Sequence, residues 1–155
     1  MIFVTVGTHP EQFDRLIRQI DKIAPSIKEE IIIQRGFTKY IPKNVESFEF
    51  TDKMDEYYSK ARIVIAQSAT SLIEFALKYN KPIITVPREK KYGEHLNDHQ
   101  VEFGEYFSKK TGILMIRDMK ELTPEILIKY NKRANLDLRG LKKIQNEIRK
   151  VIEDL

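Results

Sequence analysis

Apolar positions follow two rhythms along the chain. Ile2–Val6 is a short, largely β-branched run stopped by Gly7, and it predicts a buried strand. From Glu11 to Ile23, Phe13, Leu16, Ile17, Ile20 and Ile23 recur at helical spacing, with Pro10 placed near a first turn. "EEIIIQRG" predicts a second strand ended by Gly36, and the alternating "VESFEF" a third, half-buried one. "TDKMDEYYSKA" predicts a short helix capped by Thr51 or Asp52, and "ARIVIAQ" a fourth strand. "SATSLIEFALKYN" predicts a helix with a Ser or Thr cap and Asn80 near its end. "KPIITVP" is a fifth strand bounded by prolines, Glu94 to Lys109 a helix, and "TGILMI" a sixth strand. The tail from Leu138 to Leu155 places Leu141, Ile144, Ile148, Val151, Ile152 and Leu155 on one face of an amphipathic helix.

Strands alternating with helices imply an α/β fold, a Rossmann-like parallel sheet with helices on both faces. The 155 residues suit a single domain with a sizeable core. With 41% hydrophobic and 32% charged residues, the composition is that of a folded chain. No apolar run reaches the ~18–20 residues of a membrane span. "MIFVTVGTHP" has neither a basic n-region nor a small-residue cleavage site, so no signal peptide is expected. Cysteine is absent, which excludes disulfides and thiolate zinc sites and fits a cytoplasmic protein. The formal net charge of +4 suits an anionic ligand or surface without demanding nucleic acid.

In such sheets ligands collect at the carboxyl ends of the strands. Three loops fall there: "GTHPEQ", "AQSATS" and "PREKKYGEHLNDHQ". In the first, Gly7 permits close backbone approach and Thr8 adds an amide and a hydroxyl, unless the segment is a plain strand-to-helix turn. G-x-G-x-x-G and G-x-x-x-x-G-K-[ST] are both missing, which argues against NAD and ATP sites of those kinds. "AQSATS" sets Ser68, Ala69, Thr70 and Ser71 at a helix start, where phosphate oxygens can approach free N–H groups; a simple Ser/Thr cap is the alternative. Glu74, one turn on, can accept from a ribose diol. In "YGEHLNDHQ", His95 and His99 are four apart, yet H-E-x-x-H is absent and no third metal ligand is evident. Glu, Asn, Asp, His and Gln are also the side chains that read sugar hydroxyls. The lysines and the single tyrosine there are too few for a nucleic-acid reader.

"MIFVTVGTHPEQFDRLI", "QRGFTKYIPK" and "KPIITVPREKKYGEHLNDHQVEF", in this order, resemble the donor-binding subunits of two-component glycosyltransferases of bacterial capsule and exopolysaccharide synthesis. The chain is also similar to the cytosolic subunit of the dolichol-linked N-acetylglucosaminyltransferase and to the C-terminal half of family 28 glycosyltransferases. The resemblance covers nearly the whole chain and is weakest beyond Met119.

It implies the C-terminal half of a GT-B glycosyltransferase. UDP would lie along the sheet edge, its pyrophosphate against Gly7, Thr8 and the helix start carrying Ser68, Thr70 and Ser71, with Glu74 on the ribose. His99 and Gln100 would reach the donor sugar, Glu94 would add a third contact, and Arg88 or Lys91 would steady the leaving group. His9, His95 and a residue on the missing partner are the candidates for the general base. The family's transfer is inverting and needs no bound metal or other cofactor. It implies a UDP-sugar donor (galactose, glucuronic acid or N-acetylglucosamine), a lipid-linked acceptor, and a membrane-anchored partner holding this subunit at the membrane; a homo-oligomer stays open. Ala66-Gln67-Ser68-Ala69 departs from the family's usual His-Gly-Gly or His-Ala-Gly. That departure leaves two other readings: an inactive UDP-sugar-binding module, or a different Rossmann-type enzyme such as an epimerase or hydrolase half.

Overall fold

A computed structural model describes residues 1–136. Six strands form one sheet: β1 (Ile2–Thr5), β2 (Ile31–Gln34), β3 (Glu46–Phe48), β4 (Ile63–Gln67), β5 (Ile83–Val86) and β6 (Leu114–Met115). Their order is β3-β2-β1-β4-β5-β6, and every pairing is parallel. The order reverses between β1 and β4, so the loops leaving those two strands diverge and open a crevice at the carboxyl edge.

Five helices flank the sheet: α1 (Asp14–Ile23), α2 (Met54–Lys60), α3 (Ser71–Tyr79), α4 (His99–Thr111) and α5 (Pro124–Lys129). Side chains of a strand alternate between faces, so the continuous apolar strands must be covered twice. Ile2, Val4, Ile33, Ile65 and Ile84 pack under Leu16, Ile17 and Ile20 of α1 and Leu127 of α5. Phe3, Ile32, Val64 and Ile83 pack under Leu72 and Phe75 of α3 and Phe107 of α4, with Tyr57 and Tyr58 of α2 alongside. Phe3, fully buried, stacks on Tyr57 with ring centroids 5.2 Å apart.

Several boundaries differ from the sequence expectation. α1 begins at Asp14 rather than Glu11, because the Gln12 side-chain oxygen accepts from the Asp14 N–H and holds the chain in a turn. Pro10 therefore lies in the loop. Lys53, not Thr51 or Asp52, precedes α2; Thr51 Oγ1 accepts from Lys53 N instead of from the helix. Thr70 precedes α3 without a side-chain cap bond, while Asn80 closes that helix in the left-handed region at φ 47°. α5 has the cap that the others lack: Thr123 Oγ1 accepts from Ile126 N, with Pro124 opening the helix.

The largest correction concerns Glu94–Asp98, which is loop, so α4 starts only at His99. Asn97 Oδ1 accepts from His99 N and Asp98 Oδ1 from Lys90 N, and these side-chain bonds compete with helix. His95 and His99 therefore do not share a helix face. The amphipathic segment Leu138–Leu155 lies outside the described residues.

Candidate functional site

The crevice at the carboxyl edge holds a cavity of about 280 Å³, just under the ~300–1,000 Å³ common for small-molecule sites. Thr5, Gly7 and Thr8 come from the end of β1, Gln67 from the end of β4, and Ser71 from the start of α3. Phe50, Met54, Tyr58, Leu72 and Phe75 add apolar and aromatic lining.

Gly7 has φ +71°, a left-handed conformation that disfavours a side chain. A Cβ there would stand 2.0 Å from Nε2 of Gln67, so the glycine makes room for that amide. Its own N–H is already engaged by Gln34 Oε1 at 3.2 Å. Gln34, 3% exposed, is a clamp between strands: Oε1 also accepts from the Thr5 hydroxyl, and Nε2 donates to the carbonyls of Gly7 and Glu49. Beyond Gly7 the chain becomes exposed, and Thr8 faces the cavity.

At the start of α3, Leu72 N and Ile73 N turn back onto the Ala69 and Thr70 carbonyls. The Thr70 and Ser71 N–H groups have no partner among the described residues. Ser71 and Thr70 are exposed. Ser68 is not: at 1% exposure its hydroxyl pairs with that of Thr85 at 2.8 Å, under the point where Gly104 of α4 packs. Glu74 is exposed one turn along α3 and does not line the cavity.

Arg88 is fully buried, and burial pushes its guanidinium down to about 10. Nε donates to Gln67 Oε1, Nη1 to the carbonyls of Glu11, Gln12 and Glu94, and Nη2 to that of Val6. It thereby ties the loop after β1 to the loop after β5. Gln100 is also turned inward, accepting from Arg88 N and donating to Gln67 Oε1. Glu94, fully buried, grips Arg15 through both oxygens at 2.9 Å and accepts from Glu89 N. None of Ser68, Arg88, Glu94 and Gln100 lines the cavity. His99 is 76% exposed beside Glu102 at 3.6 Å.

His9, one residue beyond Thr8, stacks on His95 with centroids 4.4 Å apart. Glu11 Oε2 lies 2.8 Å from His9 Nδ1, and the Glu11 backbone N–H also points at that nitrogen at 3.4 Å, so Glu11 fixes the orientation of the ring. Burial holds His9 below the usual histidine range, aided by the Arg88 and His95 charges and opposed by Glu11. His95 Nδ1 accepts from Asn97 N, so its Nε2 carries the proton.

A wider groove of about 700 Å³ runs between Tyr92 and Arg117. Its Lys91 and Arg117 are already committed to Glu89, whose carboxyl the Arg117 hydrogen bonds, with help from Lys91, hold down at about 2. Lys91 is thus paired beside this groove, away from the first cavity. No group of three or more His, Asp or Glu able to hold a metal ion occurs among the described residues.

Residues 1–153 match the model of the glycosyltransferase family 28 C-terminal domain. The chain belongs to this family. A UDP-N-acetylglucosamine–N-acetylmuramyl-(pentapeptide) pyrophosphoryl-undecaprenol N-acetylglucosamine transferase of a Sulfurihydrogenibium species is 28% identical over 134 residues, 83% of this chain and 37% of that protein. The enzyme of the same name from Flavobacterium psychrophilum is 30% identical over 96 residues, 57% of this chain and 25% of that protein. The crystal structure of Acinetobacter baumannii MurG superposes with a TM-score of 0.55 at 17% identity, covering 81% of this chain and 38% of that one. This family 28 domain therefore has the α/β, Rossmann-like fold of a GT-B C-terminal half, and it spans between a quarter and little more than a third of the longer relatives.

Proposed function

We propose that this family 28 domain binds the UDP-sugar donor of an inverting hexosyltransferase whose acceptor half is a separate, membrane-anchored subunit. The observation that carries the reading is the cavity itself, lined by both unspent donors and aromatic carbon. The diphosphate fits the Thr8 hydroxyl and the Thr70 and Ser71 N–H groups, where the α3 dipole adds ~0.3–2 kcal/mol. The base fits against Phe50 and Met54, and Glu74 lies one turn further along α3 for the ribose. The exposed His99 faces the donor sugar, while Arg88, Glu94 and Gln100 hold the frame instead of touching ligand.

Of the two candidate bases on this chain, His9 is the better suited. Glu11 orients its ring through Nδ1, and its lowered proton affinity keeps it neutral near pH 7. His95 presents an N–H and supports it by stacking. Transfer then runs as an in-line displacement: the acceptor oxygen loses its proton to His9 as it attacks the anomeric carbon, and UDP leaves with its charge on preorganised N–H donors. A lipid-linked acceptor and a position on the cytoplasmic membrane surface belong to this reading. No helix among the described residues is long and apolar enough to cross a membrane.

UDP should raise the melting temperature by mass action, by ~2.7 kcal/mol of stability at a hundredfold excess over Kd. Millimolar UDP without any rise would end the donor-binding reading. The altered turn Ala66-Gln67-Ser68-Ala69 favours one alternative, an inactive UDP-sugar-binding module. Transfer to a lipid-linked acceptor, measured with the partner co-expressed, separates the two.

A further inference from the structure

We infer that Gln67 is the residue that reads the donor's diphosphate, and that Arg88 positions it; the inference rests on the donor-binding reading above. The side-chain amide of Gln67 can sit in two orientations related by a flip, and the structure leaves room for one. Arg88 Nε stands 2.7 Å from Gln67 Oε1, and a guanidinium has only N–H donors. Oxygen must therefore face Arg88, and Gln100 Nε2 donates to the same oxygen at 3.3 Å. The amide nitrogen is turned the opposite way, over Gly7, where a missing Cβ leaves space for it.

Nε2 of Gln67 meets no acceptor among the described residues, although the side chain lines the cavity. Its N–H groups thus join the Thr8 hydroxyl and the free Ser71 N–H around one hollow, with the free Thr70 N–H one residue earlier in the chain. Such a set is complementary to a ligand rich in acceptors and bearing negative charge, which a nucleoside diphosphate supplies at its phosphates. Arg88 cannot reach that ligand, since every one of its nitrogens is engaged by Gln67 or by the carbonyls of Val6, Glu11, Gln12 and Glu94. It acts through the amide, fixing its orientation and polarising it into a stronger donor.

Gln67→Glu tests this directly. A carboxylate keeps the acceptor that Arg88 needs, so the variant should melt no lower than the parent, but it presents an anionic acceptor where the amide presented N–H. Calorimetric titration with UDP and with uridine should show UDP binding weakened ~30-fold or more and uridine changed by less than about threefold. Gln67→Ala, which removes the donor without adding charge, should weaken UDP about tenfold. Arg88→Lys should lower the ratio of UDP to uridine affinity, which a general loss of structure would leave unchanged. Gln67→Glu binding UDP like the parent, or losing UDP and uridine alike, would overturn the inference while leaving donor binding intact. A parent chain that does not bind UDP would instead remove the donor-binding reading, and this inference with it.

Discussion

His9 connects geometry to pH. Burial, Arg88 and His95 set its folded affinity for protons below that of the unfolded chain, near 6.5. Between the two values the unfolded chain binds more protons, so stability increases with pH there. The contribution is fully present above about pH 6.5 and is lost as the pH falls toward the folded value. Melting temperatures from pH 7.5 down to pH 5 should therefore fall more steeply for the parent than for His9→Asn; parallel slopes would show that His9 is not held this way. The neighbouring positions show what a one-letter string can and cannot convey. Gly7 was recognisable as a point of close approach, but what approaches is the Gln67 amide, and its own N–H is held by Gln34. Gln34 and Gln67 were invisible as site residues because a glutamine at a strand end announces nothing. Only the register that sets β1 between β2 and β4 brings both onto Gly7.

At the level of strands and helices, apolar rhythm located all six strands: β1, β2, β4 and β5, buried on both faces, are runs of carbon that polar loops interrupt, and half-buried β3 shows as alternation. The stretch Glu94–Asp98 escaped this logic. Its polar side chains suggested a helix start reading a sugar, whereas the structure uses Glu94 to lock the loop to α1 through Arg15. Arg15 lies 4.7 Å over the Tyr92 ring, and Gln12 Nε2 donates to the Tyr92 carbonyl, so the loops after β1 and β5 form one unit. Glu94→Ala leaves Arg15, 15% exposed, without its carboxylate and should cost about 2–4 kcal/mol in urea unfolding. A loss below about 1 kcal/mol together with weakened donor binding would return Glu94 to the sugar contact that its position in the sequence suggests.

Taken as one object, the chain supplies, under the proposed function, one wall of a reaction site. It spans 37% and 25% of the two longer relatives, and its cavity opens at the carboxyl edge of the sheet. Fold and cavity position follow from parallel topology, which the alternation of elements implied, and from the strand-order reversal, which only the structure shows. The partner does not follow, because complementarity belongs to two surfaces and this sequence encodes one. The central claim is that the crevice between the ends of β1 and β4 receives UDP. A titration followed by backbone and side-chain amide NMR tests it most directly. Saturable shifts should concentrate at Thr8, Thr51, Thr70, Ser71 and the Gln67 side-chain amide, and shifts confined to the groove between Tyr92 and Arg117, or none at millimolar UDP, would contradict it.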